Sequence, residues 1–489
     1  MLFFGAIIGI IAIERVLKLK KLFCAALIFA LIMSLCGCLK NDVPNVTSEQ
    51  ENTVNSENDG RFSENSSTDS GNISQNSAKL QGSTSQTVTS SSGTVVEKPI
   101  TPTANDESIS SPEIEQPSAP DTPHIPLSKE SYYQYSRSSV SDRQVYRDIC
   151  TAIETTQNVI SLEKYSLSTE KLEAIYAKVT ADNPQYFWVT KFITYSAEPS
   201  SGKDRIVTLY LFYTDGETID TINGSGKLTK TADRKKISQQ ISQFNAKAEE
   251  FLKTVSSTLS DLEKEKLIHD FVLKNITYDY DAVSVSPSRE NYLRAWDTYG
   301  ALCENKAVCE GYTRLFQYLC YQVGINATYV QGTSQGVGHA WNVIKLDGDW
   351  YHIDTTWDDG STDNQPLYNW FNLTEAEIKV DHTITYDNLY VPTAEGTEYS
   401  LKNTFAMSIE NSTDAPYNYQ KAIDYMVKFD DTRITVLLNG NTLSSSYLYK
   451  HLLGDNSTVG KYIKSKGYNL KFENSYLISG DGKYMYLQK

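Results

Sequence analysis

Hydrophobic and polar positions divide the chain into five stretches. The apolar runs Met1–Ile13 and Leu22–Leu35 are separated by Arg15, Lys18, Lys20 and Lys21. Each is shorter than the ~20 residues a helix needs to span a bilayer. The second has the basic-then-apolar order of a secretory signal, which predicts a signal segment over 1–38. Residues 39–126 are mostly Ser, Thr, Asn, Glu, Gln and Pro, with too few large apolar side chains to offset the entropy of ordering them. They are expected to form a disordered tether, roughly 85 residues with an r.m.s. reach of about 50 Å. Over 127–255, Val145, Ile149 and Ile153, then Leu172, Ile175, Tyr176 and Val179, recur at helical spacing. Gln185–Tyr195 and Arg205–Tyr213 alternate as strands, and 229–255 reads as a long polar helix, so this is an α+β region. Over 382–489 strands are expected at Phe405–Ile409, Arg433–Leu438, Leu470–Leu477 and Lys483–Gln488, and helices at Tyr419–Val427 and Ser444–Leu453. That C-terminal α+β region has no cluster of reactive side chains.

The remaining stretch, 256–381, carries the sharpest patterns. Ser260 and Glu263 have capping-box spacing ahead of the stripe Leu267, Ile268, Phe271, Val272. Tyr312, Leu315, Phe316, Leu319 and Val323 predict an amphipathic helix ended by Gly324, with Cys309 on the same face at its first turn. Unpaired N–H groups at a helix start stabilise a thiolate and can receive an oxyanion. Gly311 is costly inside a helix and implies a close approach to the backbone. Cys320, mid-helix on the apolar stripe, reads as structural.

HAWNVIKL (339–346) and WYHID (350–354) flank Asp347-Gly348, a dipeptide that favours a two-residue type I′ hairpin. That loop pairs Leu346 with Asp349 and, extended, Trp341 with Asp354. Period-two alternation then makes His339 and Asp354 diagonal neighbours on one face. A three-residue loop would separate them. Taken singly, His339 is a half-buried histidine of an aromatic cluster and Asp354 a cap or turn residue. His352 is a same-face neighbour and a minor rival as base, and His269 reads as structural. Taken together with the helix-start thiol, they are the parts of an activated sulfur nucleophile: Cys309 attacks, His339 moves its proton and Asp354 orients the imidazole.

Charge and cysteine usage narrow the picture. With 60 acidic against 45 basic residues the chain carries a net charge of −15, which repels phosphate backbones, so no nucleic-acid partner is expected. Of seven cysteines, Cys24 and Cys36 would leave with the signal. Cys150, Cys303, Cys309 and Cys320 are too scattered for a disulfide scaffold, though a 303–320 or 150–320 bridge stays open. The six histidines stand in no zinc-ligand spacing with these cysteines and there is no EF-hand run, so no metal or cofactor is expected.

Two resemblances add to this reading. Leu35-Cys36-Gly37-Cys38 resembles the lipobox of bacterial lipoproteins, which implies lipid attachment at Cys38, an extracellular location on the cell membrane and no other membrane contact. A plain signal anchor is the other reading. The first apolar run does not fit a single signal, and translation is expected to begin near Val16. The segment Tyr299–Asp359, with AVCEGYTRLFQYLCYQVGI, YVQG and GHAWNVIKLDGDWYHIDTTWDD, resembles the core of the bacterial transglutaminase-like superfamily, related to kyphoscoliosis peptidases and fungal cytokinesis proteins. With the preceding EKLIHDFVLKNITYDYD the resemblance covers 260–375. It implies an α+β, papain-like core, a nucleophile helix packed on an antiparallel sheet, with Cys309 as nucleophile, His339 as general base then acid, and Asp354 as orienter. It also implies an upstream aromatic residue at the oxyanion hole, with Tyr278 the first candidate and Tyr299 the second. The activity implied is protein transamidation or peptide and amide hydrolysis, acting on a protein or cell-wall peptide. A reading from another class is a non-catalytic adhesin, or a peptide- or carbohydrate-binding module, built on the same fold, with the 33 tyrosines supplying recognition surface.

Overall fold

Ser260 opens the helix on which the middle of the molecule is built. Its hydroxyl accepts from the Glu263 N–H (3.4 Å) and the Glu263 carboxylate accepts from the Ser260 N–H (3.2 Å), the reciprocal capping box read from the sequence. The computed structural model describes residues 128–200, 203–223, 227–283, 294–359, 365–472, 476–479 and 481–489. The signal and lipobox over 1–38, with Cys38, and the tether over 39–126 lie outside the described residues.

The N-terminal region holds helices α1 (Val140–Glu154) and α2 (Thr169–Asp182), capped by the Ser139 and Ser168 hydroxyls. An antiparallel hairpin follows, β1 (Val189–Ser200) and β2 (Lys203–Tyr213). Its first strand starts at Val189 rather than Gln185 because the chain turns there: Tyr186 N–H donates to Asn183 O and the Trp188 indole to Ile153 O. Helix α3 (Arg234–Leu252) starts at the Asp233 cap rather than at 229, because Leu228–Lys230 pairs with Thr221–Ile222 as a short ladder. Helix α4 is Asp261–Asn275.

Next come α5 (Cys309–Gln322) and the strands β3 (Ala327–Ser334), β4 (Val337–Leu346), β5 (Asp349–Ile353) and β6 (His382–Ile384). The four strands form an antiparallel sheet in the order β5-β4-β3-β6. Helix α5 lies against β3 and β4, burying Tyr312, Leu315, Phe316 and Leu319 completely; each such side chain contributes about 1.5–3 kcal/mol. Asp347 (φ 46°) and Gly348 (φ 102°) both take positive φ, as a type I′ turn requires. The register runs from Asp349 opposite Leu346 to Ile353 opposite Asn342, the pairing the loop predicted.

One boundary moves. The sequence ends the catalytic region at 381, yet His382–Ile384 supplies the sheet's fourth strand, pairing with Gly332–Ser334. A three-residue edge strand is too short to show a period of two. The division at 255 is not a division of the core either: one apolar cluster runs from Tyr132 to Ala406, so the N-terminal helices and hairpin share a core with the α5 sheet. The C-terminal region has its own core, including Met407, Ile423, Val436, Val459 and Leu487. There β7 (Ala406–Ser408), β8 (Arg433–Leu437), β9 (Tyr476–Ile478) and β10 (Tyr484–Gln488) pair in the order β7-β8-β10-β9 around α6 (Tyr419–Phe429). The expected helix over Ser444–Leu453 is a short α turn followed by a wider π turn. A further helix, α7 (Thr458–Ser465), has no counterpart in the expectation, since Val459 and Ile463 are its only buried residues.

Candidate active site

Cys309 is the first residue of α5, preceded by the extended Val308, and no side chain caps this helix start. The Val308 N–H donates to Ala295 O (2.9 Å), and the Cys309 carbonyl accepts from the Thr313 hydroxyl (2.8 Å). Glu310, fully buried, is held by Arg314 Nε (2.8 Å) and by Lys191 on β1, tying the helix start to the N-terminal hairpin. The close approach expected at Gly311 is made by the chain itself: a Cβ there would lie 2.7 Å from Ala307 Cβ and 2.8 Å from Ala295 O. Cys150, Cys303, Cys309 and Cys320 are not joined in disulfides, so neither the 303–320 nor the 150–320 bridge forms, and Cys320 is buried within α5.

His339 stands on β4 opposite Gly332, and its Nε2 lies 2.6 Å from Asp354 Oδ2. With Nε2 committed, Nδ1 is the nitrogen left for the Cys309 side chain, its other hydrogen-bond partner. Asp354 follows β5 immediately and is both things weighed from the sequence. Its Oδ1 caps a short helix, accepting from the Thr356 (3.0 Å) and Trp357 (3.2 Å) N–H groups, while Oδ2 takes the imidazole. Burial disfavours the charge on His339, but the Asp354 carboxylate and then Cys309 outweigh it and push the imidazole from 6.5 up to about 10. Burial likewise opposes ionisation of Asp354, yet His339 and His382 hold its carboxyl well below the usual range.

His382, which the sequence reading left out of the site, donates to the same oxygen: its Nε2 is 3.0 Å from Asp354 Oδ2, and its Nδ1 is 2.5 Å from Asp381. Asp381 is in turn held by the Trp370 indole (3.1 Å). Cys309, His339, Asp354, His382 and Asp381 thus form one hydrogen-bonded line. The only sequence signal was an unassigned histidine next to an aspartate just past the assumed boundary. His352 is not in that line: its Nδ1 accepts from the Trp341 indole (3.0 Å) and its Nε2 is 3.5 Å from Glu375. His269 is wholly buried between Asp270 and Asp358, each 3.1 Å away.

The two oxyanion-hole candidates separate. The Tyr278 phenol is hydrogen-bonded to the Cys309 backbone N–H, and burial, then the nearby Cys309, raise its pKa and keep it a neutral donor. Tyr299 points elsewhere, its hydroxyl donating to Gln243 on α3 (2.8 Å). Trp296 adds a group the sequence did not suggest. Its indole N–H is buried without a partner among the described residues, in the apolar cluster that also contains Val308 and Tyr278. A buried unpaired donor beside a helix start can serve developing negative charge. The sequence implied no metal. His339, Asp354 and His382 do offer ligand atoms within 4.8 Å of one another. Both imidazoles already sit at hydrogen-bond distance from the same oxygen, so a cation with bonds of about 2.0–2.1 Å would have to break both contacts.

The fold is α+β and contains a transglutaminase-like domain. The sequence model of the Transglutaminase-like superfamily matches residues 246–355, from the end of α3 through β5, a span that includes Cys309, His339 and Asp354 and stops short of His382. Kyphoscoliosis peptidase of Mus musculus is 32% identical over 129 residues, covering 23% of this chain and 19% of that protein. Kyphoscoliosis peptidase of Homo sapiens is 30% identical over 116 residues, covering 21% and 17%. The chain thus spans about a fifth of the length of the curated relatives it matches. A solved structure of a TGase is 16% identical, with 46% of this chain and 55% of that one covered and a TM-score of 0.23.

Proposed function

We propose that this protein is a cysteine acyl-transfer enzyme acting on protein or cell-wall peptide, anchored through lipid on Cys38 at the extracellular face of the membrane. The observation that carries the chemistry is the single carboxylate oxygen 2.6 Å from His339 Nε2, which leaves Nδ1 for the thiol at an uncapped helix start. In this reading the thiol's proton has already passed to His339 Nδ1, and Cys309 Sγ attacks the carbonyl carbon of an amide beside the protonated imidazole. The oxyanion of the tetrahedral intermediate is received by N–H groups of the first turn of α5, with the Tyr278 hydroxyl and Trp296 indole as further donors. Collapse breaks the C–N bond, and the departing amine takes the proton from His339, leaving a thioester. An amine or water then attacks the thioester, His339 removes its proton, and the thiol is released. An amine acceptor makes the reaction transamidation; water makes it hydrolysis.

The test begins with the thiol. Iodoacetamide at neutral pH should alkylate Cys309 selectively and faster than a model thiol, and His339→Ala should abolish the excess rate. Labelling at the model-thiol rate would favour a non-catalytic adhesin or binding module. Mass spectrometry of casein or wall peptide incubated with the protein and a primary amine then separates the reactions. Amine incorporated at glutamine marks transamidation, and new termini mark proteolysis. No product beyond that of Cys309→Ala would refute the enzyme reading. Lipid at Cys38 is checked by the mass of the N-terminal peptide from membranes.

A further inference from the structure

A cleft of about 480 Å³ is lined by Tyr133, Arg137, Lys178, Tyr386, Leu389 and Tyr390. Two cations line it, and neither makes an ion pair among the described residues. Lys178 is only 7% exposed, its ammonium lies 4.3 Å above the Tyr390 ring, and among the described residues it makes no ion pair. The carboxylate nearest in sequence, Asp182 one turn along α2, feels the Lys178 charge but gives its hydrogen bonds to other groups: it accepts from the Gln134 (3.1 Å) and Tyr135 (2.8 Å) backbone N–H groups and the Tyr146 hydroxyl (3.1 Å). Arg137, on the rim, lies 4.2 Å over the Tyr133 ring and likewise has no ion pair among the described residues. Glu375, which touches the wall through the Tyr386 hydroxyl (3.2 Å), is already paired with Lys379 (2.5 Å).

A buried ammonium whose nearest carboxylate gives its hydrogen bonds to other groups is poorly compensated, and on a chain of net charge −15 two cations without ion pairs are not explained by surface composition. Aromatic rings hold the two charges, Tyr133 also accepting from Arg137, and the Lys178 ammonium makes no hydrogen bond among the described residues. The wall of the cleft is tied to the site by packing. Leu389 belongs to the same buried cluster as Cys309 and Ala181, and Ala177, the neighbour of Lys178 on α2, packs against that cluster.

We propose that this cleft is a substrate subsite for a carboxylate-bearing peptide segment, so that the enzyme prefers acyl donors or acceptors with an acidic residue or free C-terminal carboxylate near the reacting amide. The proposal rests on the acyl-transfer reading for the word substrate, and on the cleft alone for the binding of the anion. Lys178 and Arg137 bind the carboxylate, and the tyrosine rings flank the peptide.

The experiment uses the soluble full chain as Cys309→Ala, which cannot turn over, and two fluorescein-labelled hexapeptides, hexa-aspartate and hexa-asparagine, in fluorescence anisotropy. Hexa-aspartate should bind at least tenfold tighter than hexa-asparagine, weaken with salt, and lose at least tenfold in Lys178→Met/Arg137→Gln. Arg137→Gln alone, on the exposed rim, should lose three- to fivefold and guards against a misfolded double variant. In the wild type, saturating unlabelled hexa-aspartate should slow iodoacetamide alkylation of Cys309 several-fold, and hexa-asparagine should not. Equal binding of the two peptides, unchanged binding by the variants, or hexa-aspartate binding that leaves the alkylation rate untouched would each overturn the subsite. If instead unprotected Cys309 reacts no faster than a model thiol while hexa-aspartate binds and shields it, the acyl-transfer reading fails and the anion cleft stands.

Discussion

Asp354→Asn isolates what the buried carboxylate does. The substitution keeps the side chain's shape, and the amide oxygen can still accept from the Thr356 and Trp357 N–H groups that Oδ1 now serves. At the other atom an acceptor becomes a donor. The amide NH₂ would then face His339 Nε2 and His382 Nε2, which both lie within 3.0 Å of Oδ2. His339 could relieve the conflict only by moving its proton to Nδ1, the nitrogen that has to accept from the thiol. The imidazole is raised from 6.5 to about 10, a difference worth roughly 5 kcal/mol between its protonation states. Cys309 supplies part of that rise, so removal of the carboxylate charge should cost roughly 3–4 kcal/mol in the acylation step, or about 10²–10³-fold in rate. The assay is the second-order rate constant for iodoacetamide at Cys309 from pH 5 to 10, alongside turnover. Wild type should hold a plateau to alkaline pH, because His339 keeps its proton until about 10. Asp354→Asn should lose the plateau and approach the profile of a free thiol. Circular dichroism should show the fold intact. A folded Asp354→Asn with a wild-type rate and plateau would refute the assignment.

Three further outcomes follow from particular contacts. His382→Leu leaves the buried Asp354 carboxylate one donor short and should cost about 1.5–3 kcal/mol of stability in denaturant titration at neutral pH; His382→Gln, which retains an N–H donor, should recover most of it, and equal losses in both would count against the contact. Glu265 is fully buried, with Oε1 unpartnered among the described residues and burial pushing its carboxyl from 4.5 up to about 8. The folded state therefore holds that proton more tightly than the unfolded, so the group's stabilisation is complete below about pH 4.5 and is lost as pH rises through about 8. Glu265→Gln should accordingly stabilise the fold against denaturant more at pH 8 than at pH 5, by roughly 1–3 kcal/mol at the higher pH, and equal shifts at both would count against it. Gly311→Ala drives a methyl into Ala295 O and Ala307, so thermal unfolding should show a loss of about 1–3 kcal/mol.

Local patterns carried a defined part of this molecule. The capping box at Ser260, the apolar stripe behind Cys309 and the two positive-φ residues Asp347 and Gly348 each act within a few residues. Because side chains in a strand alternate, a two-residue turn was enough to align His339 with Asp354 across the hairpin. The sequence by itself therefore determined a thiol at a helix start, an imidazole and carboxylate on one face, and an α+β core of the transglutaminase-like kind. Tertiary packing decided what surrounds them. His382 enters on a three-residue edge strand with no period to read, and only its pairing with β3 brings it to Asp354. The Trp296 indole and the Tyr278 phenol reach the start of α5 through the side-chain cluster around Val308 and a single backbone hydrogen bond. The cleft is assembled from three separate stretches, with Arg137, Lys178 and Tyr390 each looking like an ordinary surface residue in its own segment. Periodicity encodes which face of an element is buried; which chain-distant side chains meet there depends on how the elements pack, and that information is not local.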